Sequence, residues 1–492
     1  MDINIPTLTS IIIYLVAMLL IGYIAAKMTS NLSDYVLGGR RLGGGVAALS
    51  AGASDMSGWL LLGLPGAIYA SGMNSIWLAV GLATGAYLNW QFIAKPLRVY
   101  TEKSNDSITV PDFFENRFRD KSKVLRVISA LVILVFFTFY TSSGLVGGAI
   151  LLESSFNMDY QLALWVGAAV IVSYTFMGGF LAASWTDFVQ GILMFCALII
   201  VPVRSIMVLG GWDGTLQKVG NIDISYLDAL TGTTILGIVS LLAWGLGYFG
   251  QPHIVVRFMG IKSTREIPKA RFIGMTWMIV SLFGAIFIGF SGIAYFADAP
   301  LGNPETVFIQ FSQVLFDPWV AGFLLAAILS AIMSTVDSQL LVSSSALAQD
   351  FYSQILRKDA GPKEEMLVGR FAVLGISIIA IFLGYNPDSK VLELVSYAWA
   401  GFGAAFGPVT ILALFWKRMT RNGALAGIIV GAATVVLWKV LTTVGIIPFS
   451  LYEILPGFVF AFIAVIVVSL MSKEPSKEIQ DEFDAVAQEI RA

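Results

Sequence analysis

Apolar residues run along this chain in blocks of about twenty or more, separated by short polar connections, from residue 7 to residue 471. At helical rise, about twenty apolar residues cross a bilayer core. The blocks therefore predict 13 membrane-spanning helices, at 7–27, 45–70, 74–97, 124–151, 161–180, 186–210, 233–257, 272–296, 317–346, 367–384, 392–416, 422–443 and 451–471. The connections alternate in charge. Those at 27–41, 98–126, 257–271, 357–370 and 417–421 hold 3, 7, 5, 4 and 3 Lys or Arg. The opposite set, 71–73, 152–160, 211–232, 297–316, 385–391 and 444–450, holds only Lys218 and Lys390. Basic loops stay cytoplasmic, so the pattern predicts an outside N-terminus and a cytoplasmic C-terminus. The expectation is an all-α polytopic membrane protein with one transporter-sized domain, 1–472, and a short charged tail, 473–492, that reads as a solvated cytoplasmic helix.

Two blocks are interrupted. Within the second, SAGASDMSGW (Ser50–Trp59) places Gly52, Gly58, three serines and Asp55 among apolar neighbours. Glycine and short hydroxyl residues weaken a helix, and a carboxylate at membrane depth is costly enough to imply a function. Within the seventh, AWGLGYFGQPH (Ala243–His253) packs three glycines and Pro252 into eleven residues, and proline removes a backbone donor. Paired broken helices in corresponding positions of two halves mark a transporter's midplane site. The breaks lie five spans apart, so spans 2–6 and 7–11 are expected to form inverted repeats.

Composition narrows the class. Of 492 residues 57% are hydrophobic and 13% charged, against about 25% charged in a soluble domain, and mean hydropathy is +0.80. A net charge of −2 gives nucleic acid no basic surface to bind. The single cysteine, Cys196, cannot form an internal disulfide and reads as a small buried hydrophobe. MDINIPTLTS lacks a basic region before its apolar run, so the first span is expected to be retained rather than cleaved as a signal peptide. His253 is the only histidine. With no second histidine, cysteine pair or HExxH string it reads as structural, and no enzymatic constellation or cofactor site is present in the sequence.

GGRRLGG (Gly38–Gly44), ASDMSGWLLLGLPGA (Ala53–Ala67), SWTD (Ser184–Asp187), GLGYFGQPHI (Gly245–Ile254) and AAILSAIMSTVDSQLLVSSSALAQD (Ala326–Asp350) resemble the sodium/solute symporter family, nearest its proline-carrying branch. The resemblance extends from the first span to the last. It implies the thirteen-helix version of the leucine-transporter architecture, a 5+5 inverted repeat. It also implies Na+ as the coupling ion and L-proline as solute, in a bacterial-type cytoplasmic membrane. Pantothenate, a sugar or another amino acid as solute, or a sensor that barely transports, are the competing readings.

Sodium, a hard cation, takes oxygen ligands from unwound carbonyls and short hydroxyls. Ala331, Ser334 and Thr335 share one helical face by spacing, although such hydroxyls equally well bond back to their own helix. The resemblance implies a sodium site from the backbone oxygens of Ala53, Met56 and Ala331 and the hydroxyls of Ser334 and Thr335. It also makes Asp55 essential for sodium, as a ligand or beside one. For the solute, opened helix ends at Ser57–Gly58 and near Gly247–Gln251 can offer N–H groups to a carboxylate. Trp59, Tyr140, Trp244 and Tyr248 supply aromatic walls with polar handles, and Gln251 a polar contact. By resemblance Trp244 and Tyr248 line the proline pocket, with Trp59 and Tyr140 nearby. Asp187 is expected either to cap the start of the sixth span or to lie on the sodium exit route. Arg40 is expected to form a gate ion pair with an acidic partner, Arg41 to anchor topology, and Asp337 to serve a gate or exit path.

Overall fold

The computed structural model describes residues 4–26, 37–175, 180–357, 359–448 and 451–491; most of the first basic connection, 27–36, lies outside them. Among these described residues, twenty α-helices follow in chain order. The first seven are α1 (Ile5–Ala26), α2 (Gly44–Asp55), α3 (Leu64–Ser71), α4 (Ile76–Leu88), α5 (Ala94–Lys103), α6 (Val110–Arg117) and α7 (Val124–Phe156). Next come α8 (Tyr160–Thr175), α9 (Phe180–Val208), α10 (Gly211–Ile222), α11 (Ile235–Leu242), α12 (Pro252–Gly260) and α13 (Ile267–Tyr295). The last seven are α14 (Val307–Leu315), α15 (Pro318–Ser345), α16 (Pro362–Leu383), α17 (Val391–Phe415), α18 (Arg421–Thr443), α19 (Ile454–Met471) and α20 (Lys477–Arg491). Among the described residues there is no strand, only one bridge between Leu42 and Ile261.

Nine of these helices are, among the described residues, long and apolar enough to cross a membrane unaided, and the α11–α12 pair, bent by 45°, makes a tenth. The broken α2–α3 rod, the α4–α5 rod with its π-helical turn at Asn89–Ile93, and the shorter α8 account for the rest. This arrangement is consistent with thirteen crossings.

Both expected breaks are present. Helix α2 ends at Asp55, Met56 leaves helical geometry at φ −86°, ψ 76°, and a π-helical turn, Trp59–Gly63, leads into α3. In the seventh rod, Ala243–Gly250 tightens into a 3₁₀ segment, Gln251 is extended, and Pro252 starts α12. Its glycines do more than loosen the turn. A Cβ on Gly245 would overlap the backbone of Gly81, and one on Gly247 would overlap the Trp399 indole. Bare backbone is therefore what lets this segment lie against α4 and α17. Helix α2 packs against α9, α12, α13 and α15, so the two broken rods sit together at the centre of the bundle.

Large apolar side chains face outward along the rods, including Phe92, Ile200, Phe371 and Leu437, as a lipid environment requires. Cys196 is on this outer surface of α9, not in the core; lipid accepts an apolar side chain as readily as the interior does. The tail helix α20 is not free in solvent either. Val486 is 2% exposed, and Glu482 pairs with Arg119 at 2.7 Å, Glu489 with Lys103 at 2.8 Å and Asp484 with Lys417 at 2.5 Å.

Candidate functional site

The opened end of α2 exposes carbonyls that a continuous helix would consume. The Ala53 oxygen accepts from Ser334 Oγ at 2.7 Å and from Thr335 Oγ1 at 3.3 Å. Both hydroxyls also lie near the Ala331 oxygen, at 3.3 and 3.1 Å. Spacing puts Ala331, Ser334 and Thr335 on one face of α15, and packing presses that face against the break. Four of the five expected sodium-site groups thus converge from two rods onto one point. Met56, the fifth, is the residue at which α2 ends. The N–H four residues further on, from Leu60, bonds Ser57 instead, so the Met56 carbonyl is not tied into a continuing α-helix. An oxygen set without thiolate or imidazole suits a hard monovalent cation.

Asp55 is buried and turns toward the seventh rod. Its Oδ2 accepts from the Tyr248 hydroxyl at 2.6 Å, while Oδ1 is buried without a protein partner. Its backbone oxygen accepts from Trp59 Nε1 at 3.1 Å and from the Tyr140 hydroxyl at 3.2 Å. Trp59, Tyr140 and Tyr248, from three rods, therefore meet at Asp55. Ser57 and Gly58 are buried in the same break, with the Gly58 Cα facing Ile332 of α15.

Trp244 and Gln251 join this cluster through Trp399 of α17. The Trp399 indole N–H donates to the Trp244 oxygen at 2.7 Å, and Gln251 Nε2 donates to the Trp399 oxygen at 3.1 Å. The Trp399 ring meets Tyr248 edge-on at 5.0 Å. Asn89 of the third rod holds the Tyr248 carbonyl at 3.0 Å. Sequence reasoning missed Trp399 and Asn89. The only signal for Trp399 is one indole in the small-residue string AWAGFGAAFG (Ala398–Gly407).

Asp187 does not cap a helix start: it lies two turns inside α9, fully buried. Its Oδ2 accepts from Ser50 Oγ at 2.7 Å and pairs with Arg257 Nη2 at 3.2 Å. Arg257, counted in the sequence only as a loop cation, also donates to Ser338 Oγ at 2.5 Å and to Ser50 Oγ at 3.2 Å. The Ser338 hydroxyl has both Asp337 Oδ1, at 3.2 Å, and the Ser334 oxygen, at 2.9 Å, within reach of its one proton. One buried guanidinium thus joins Asp187 directly and Asp337 through Ser338, beneath the Ser334–Thr335 hydroxyls.

Arg40 has the acidic partner expected of it, Asp106 at 2.8 Å, and also donates to the carbonyls of Met259 and Ser107. At the opposite end of the bundle, buried Glu305 accepts from the first N–H groups of α17, Val391 at 3.0 Å and Leu392 at 3.1 Å. This carboxylate, which sequence reasoning did not single out, ties the 304–306 turn to the rod that carries Trp399. Burial pushes its carboxyl above the ordinary glutamate value, against the pull of those two N–H groups.

Comparison with known proteins gives a concordant result. The chain is 55% identical over 469 residues to the high-affinity proline transporter PutP of Bacillus subtilis (strain 168), covering 95% of this chain and 98% of that one. It is 54% identical over 489 residues to the sodium/proline symporter of Escherichia coli (strain K12), covering 98% and 96%. Among solved structures it superimposes on a substrate-bound, outward-open Na+-coupled sialic acid symporter with a TM-score of 0.80 at 20% identity, over 96% of this chain and 99% of the other. It also superimposes on Mhp1, a nucleobase-cation-symport-1 family transporter, with a TM-score of 0.53 at 12% identity, over 93% and 99%. These likenesses establish the leucine-transporter-like fold that the two broken rods imply. A profile described as "Sodium:solute symporter family" matches residues 35–431, and on that match and these identities the chain belongs to the sodium:solute symporter family.

Proposed function

We propose that this protein carries L-proline into the cell together with sodium by alternating access. The observation that carries the proposal is the convergence of the Ala53 and Ala331 oxygens with the Ser334 and Thr335 hydroxyls at the break in α2, next to an enclosed aromatic cluster. In this reading sodium is held there, with the Met56 carbonyl completing the set, and fixes the opened end of α2. That end carries Asp55, Ser57, Gly58 and Trp59, so an ion on one side of the break orders the solute-facing groups on the other.

L-proline then lies among Trp59, Tyr140, Trp244 and Tyr248. Its carboxylate faces N–H groups of the opened segments, its ring the aromatic faces, and Gln251 and Asp55 offer polar contacts. The bacterial relatives named for proline support this solute over a sugar or pantothenate. Asp187, Asp337 and Arg257 form the sodium exit route beneath the site, and Arg40 a fastening at the cytoplasmic side. The alternation of basic connections supports an outside N-terminus and an inside tail in a bacterial cytoplasmic membrane.

Coupling is reciprocal: sodium raises affinity for proline by the factor that proline raises affinity for sodium. A tenfold sodium gradient supplies about 1.4 kcal/mol and one charge across 100 mV about 2.3 kcal/mol. At one-to-one stoichiometry their sum supports roughly 500-fold accumulation. The test is equilibrium binding of labelled L-proline to purified protein in sodium or potassium, with unlabelled amino acids, pantothenate and sugars as competitors. Sodium-dependent binding displaced by L-proline alone is expected; displacement by another nutrient at lower concentration would reassign the solute.

A further inference from the structure

Arg126 and Asp350 are 224 positions apart, and the structure joins them. Arg126, in the first turn of α7, directs Nε to Asp350 Oδ1 at 2.6 Å, Nη2 to Asp112 Oδ1 at 2.9 Å and Nη1 to Glu115 Oε2 at 3.0 Å. Asp112 and Glu115 come from the two-turn helix α6, and Asp350 from the π-helical continuation of α15, Ala346–Leu356. One guanidinium thus fastens three elements and is the counter-charge of three carboxylates.

Immediately beside the cluster, a narrow cavity runs between α6, α7, α12 and α15, lined by Val110, Ile133, Pro252, Val256, Leu341 and Asp350 itself. Pro252 directly follows Gln251, so the cavity starts one residue from the solute site. Asp350 Oδ2 is buried here with no protein partner. On its other side α6 is backed by the tail. Buried Arg117 is covered by the ring of Phe483 from α20, at 5.4 Å, and by Tyr100 at 5.0 Å.

We infer that α6 is the inner door of the solute path, latched through Arg126 to Asp350 and braced from behind by the tail helix. This inference rests on the symport reading and on a cytoplasmic α6. Closed, the door pairs its charges; open, water hydrates them. Desolvation of the paired charges offsets much of what their pairing contributes, so the latch does not lock the door irreversibly. The latch also reports on the ion site. Asp350 lies fifteen residues beyond Thr335 on the same rod, roughly 22 Å along it, so a tilt of α15 when sodium binds moves Asp350 relative to Arg126.

The test places a reporter cysteine, Leu341→Cys, on the cavity wall of a Cys196→Ser protein. Its labelling by a membrane-impermeant maleimide is measured in inside-out and right-side-out vesicles. Asp350→Asn should raise labelling in inside-out vesicles about tenfold, because it removes the charge-assisted bond that ties the α15 rod to Arg126 while Arg126 keeps Asp112 and Glu115. Asp350→Glu should restore it toward the latched rate. Phe483→Ala, away from the latch, should raise it by a smaller factor and keeps the inference open to refutation if Asp350→Asn fails to fold. Unchanged labelling in the Asn and Ala variants, or a rise confined to right-side-out vesicles, would overturn the inner door. Sodium-dependent L-proline binding by the same preparations reports separately on the symport reading.

Discussion

Thr335→Val isolates the ion site better than any other single change. Valine matches threonine in shape, so the substitution leaves no cavity and removes only the hydroxyl. In the structure Oγ1 lies between the Ala331 oxygen at 3.1 Å and the Ala53 oxygen at 3.3 Å. Without sodium its proton serves one of those carbonyls, a neutral hydrogen bond worth about 1 kcal/mol net. With sodium the oxygen turns a lone pair to the ion, an interaction with a charged group worth about 1.5–3 kcal/mol. The difference, about 0.5–2 kcal/mol, is the loss in sodium affinity, or roughly a 2- to 30-fold rise in half-saturating sodium. The assay is initial uptake of labelled L-proline across a sodium titration, with the variant's maximal rate at saturating sodium as the control for folding. Thr335→Ser, which keeps the oxygen, should stay near the unmodified value. A valine variant with an unshifted sodium titration would place the ion elsewhere and refute the reasoning.

Three further outcomes follow from named contacts. Asp187→Asn and Arg257→Gln should each impair thermal stability and uptake more than the double variant does, since each alone leaves a buried charge without its partner, at a cost of about 3–5 kcal/mol; additive losses would show the pair to be uncoupled. Glu305→Ala strips two first-turn N–H groups of α17 of their acceptor and should cost about 1–3 kcal/mol of stability, with Glu305→Gln losing less; an unshifted thermal midpoint for the alanine variant would count against the fastening. In the loop before α7, burial pushes the Asp120 carboxyl up, but the Ser122 hydroxyl, the Leu125 N–H and Arg421 outweigh it and hold it below the ordinary aspartate value. A depressed carboxyl contributes stability above its unfolded value and loses it as pH falls through the folded one, so Asp120→Asn should flatten the acid arm of a stability–pH curve below the ordinary aspartate range and leave the neutral region's slope unchanged.

The rods and their two breaks were legible because both are written locally. A twenty-residue apolar run is a statement about bilayer thickness, and Gly–Pro punctuation or an Asp among glycines is a statement about backbone. The face of α15 was legible for the same reason, since Ala331, Ser334 and Thr335 follow helical spacing. Contacts across rods leave no such trace. Arg257 meets Asp187 from 70 positions away, and charge counting pooled it with the cations that set topology. Trp399 and Glu305 act through partners on other rods, at distances in sequence that no periodicity encodes. Nor does hydropathy separate inside from outside here. Lipid and core are equally apolar, so Cys196 was expected in the core and lies on the surface. Docking of α20 depends on Phe483 finding Arg117, a fit visible only once the bundle is built.

The central claim is that a sodium gradient drives L-proline through this bundle. The most direct measurement is accumulation of labelled L-proline in liposomes containing the purified protein, with an inward gradient of sodium or, in parallel, of potassium. Accumulation above equilibrium with sodium alone, increased by an inside-negative potential and abolished when the gradient is collapsed, is the expected result. Equal proline uptake in sodium and potassium that stops at equilibrium would contradict it.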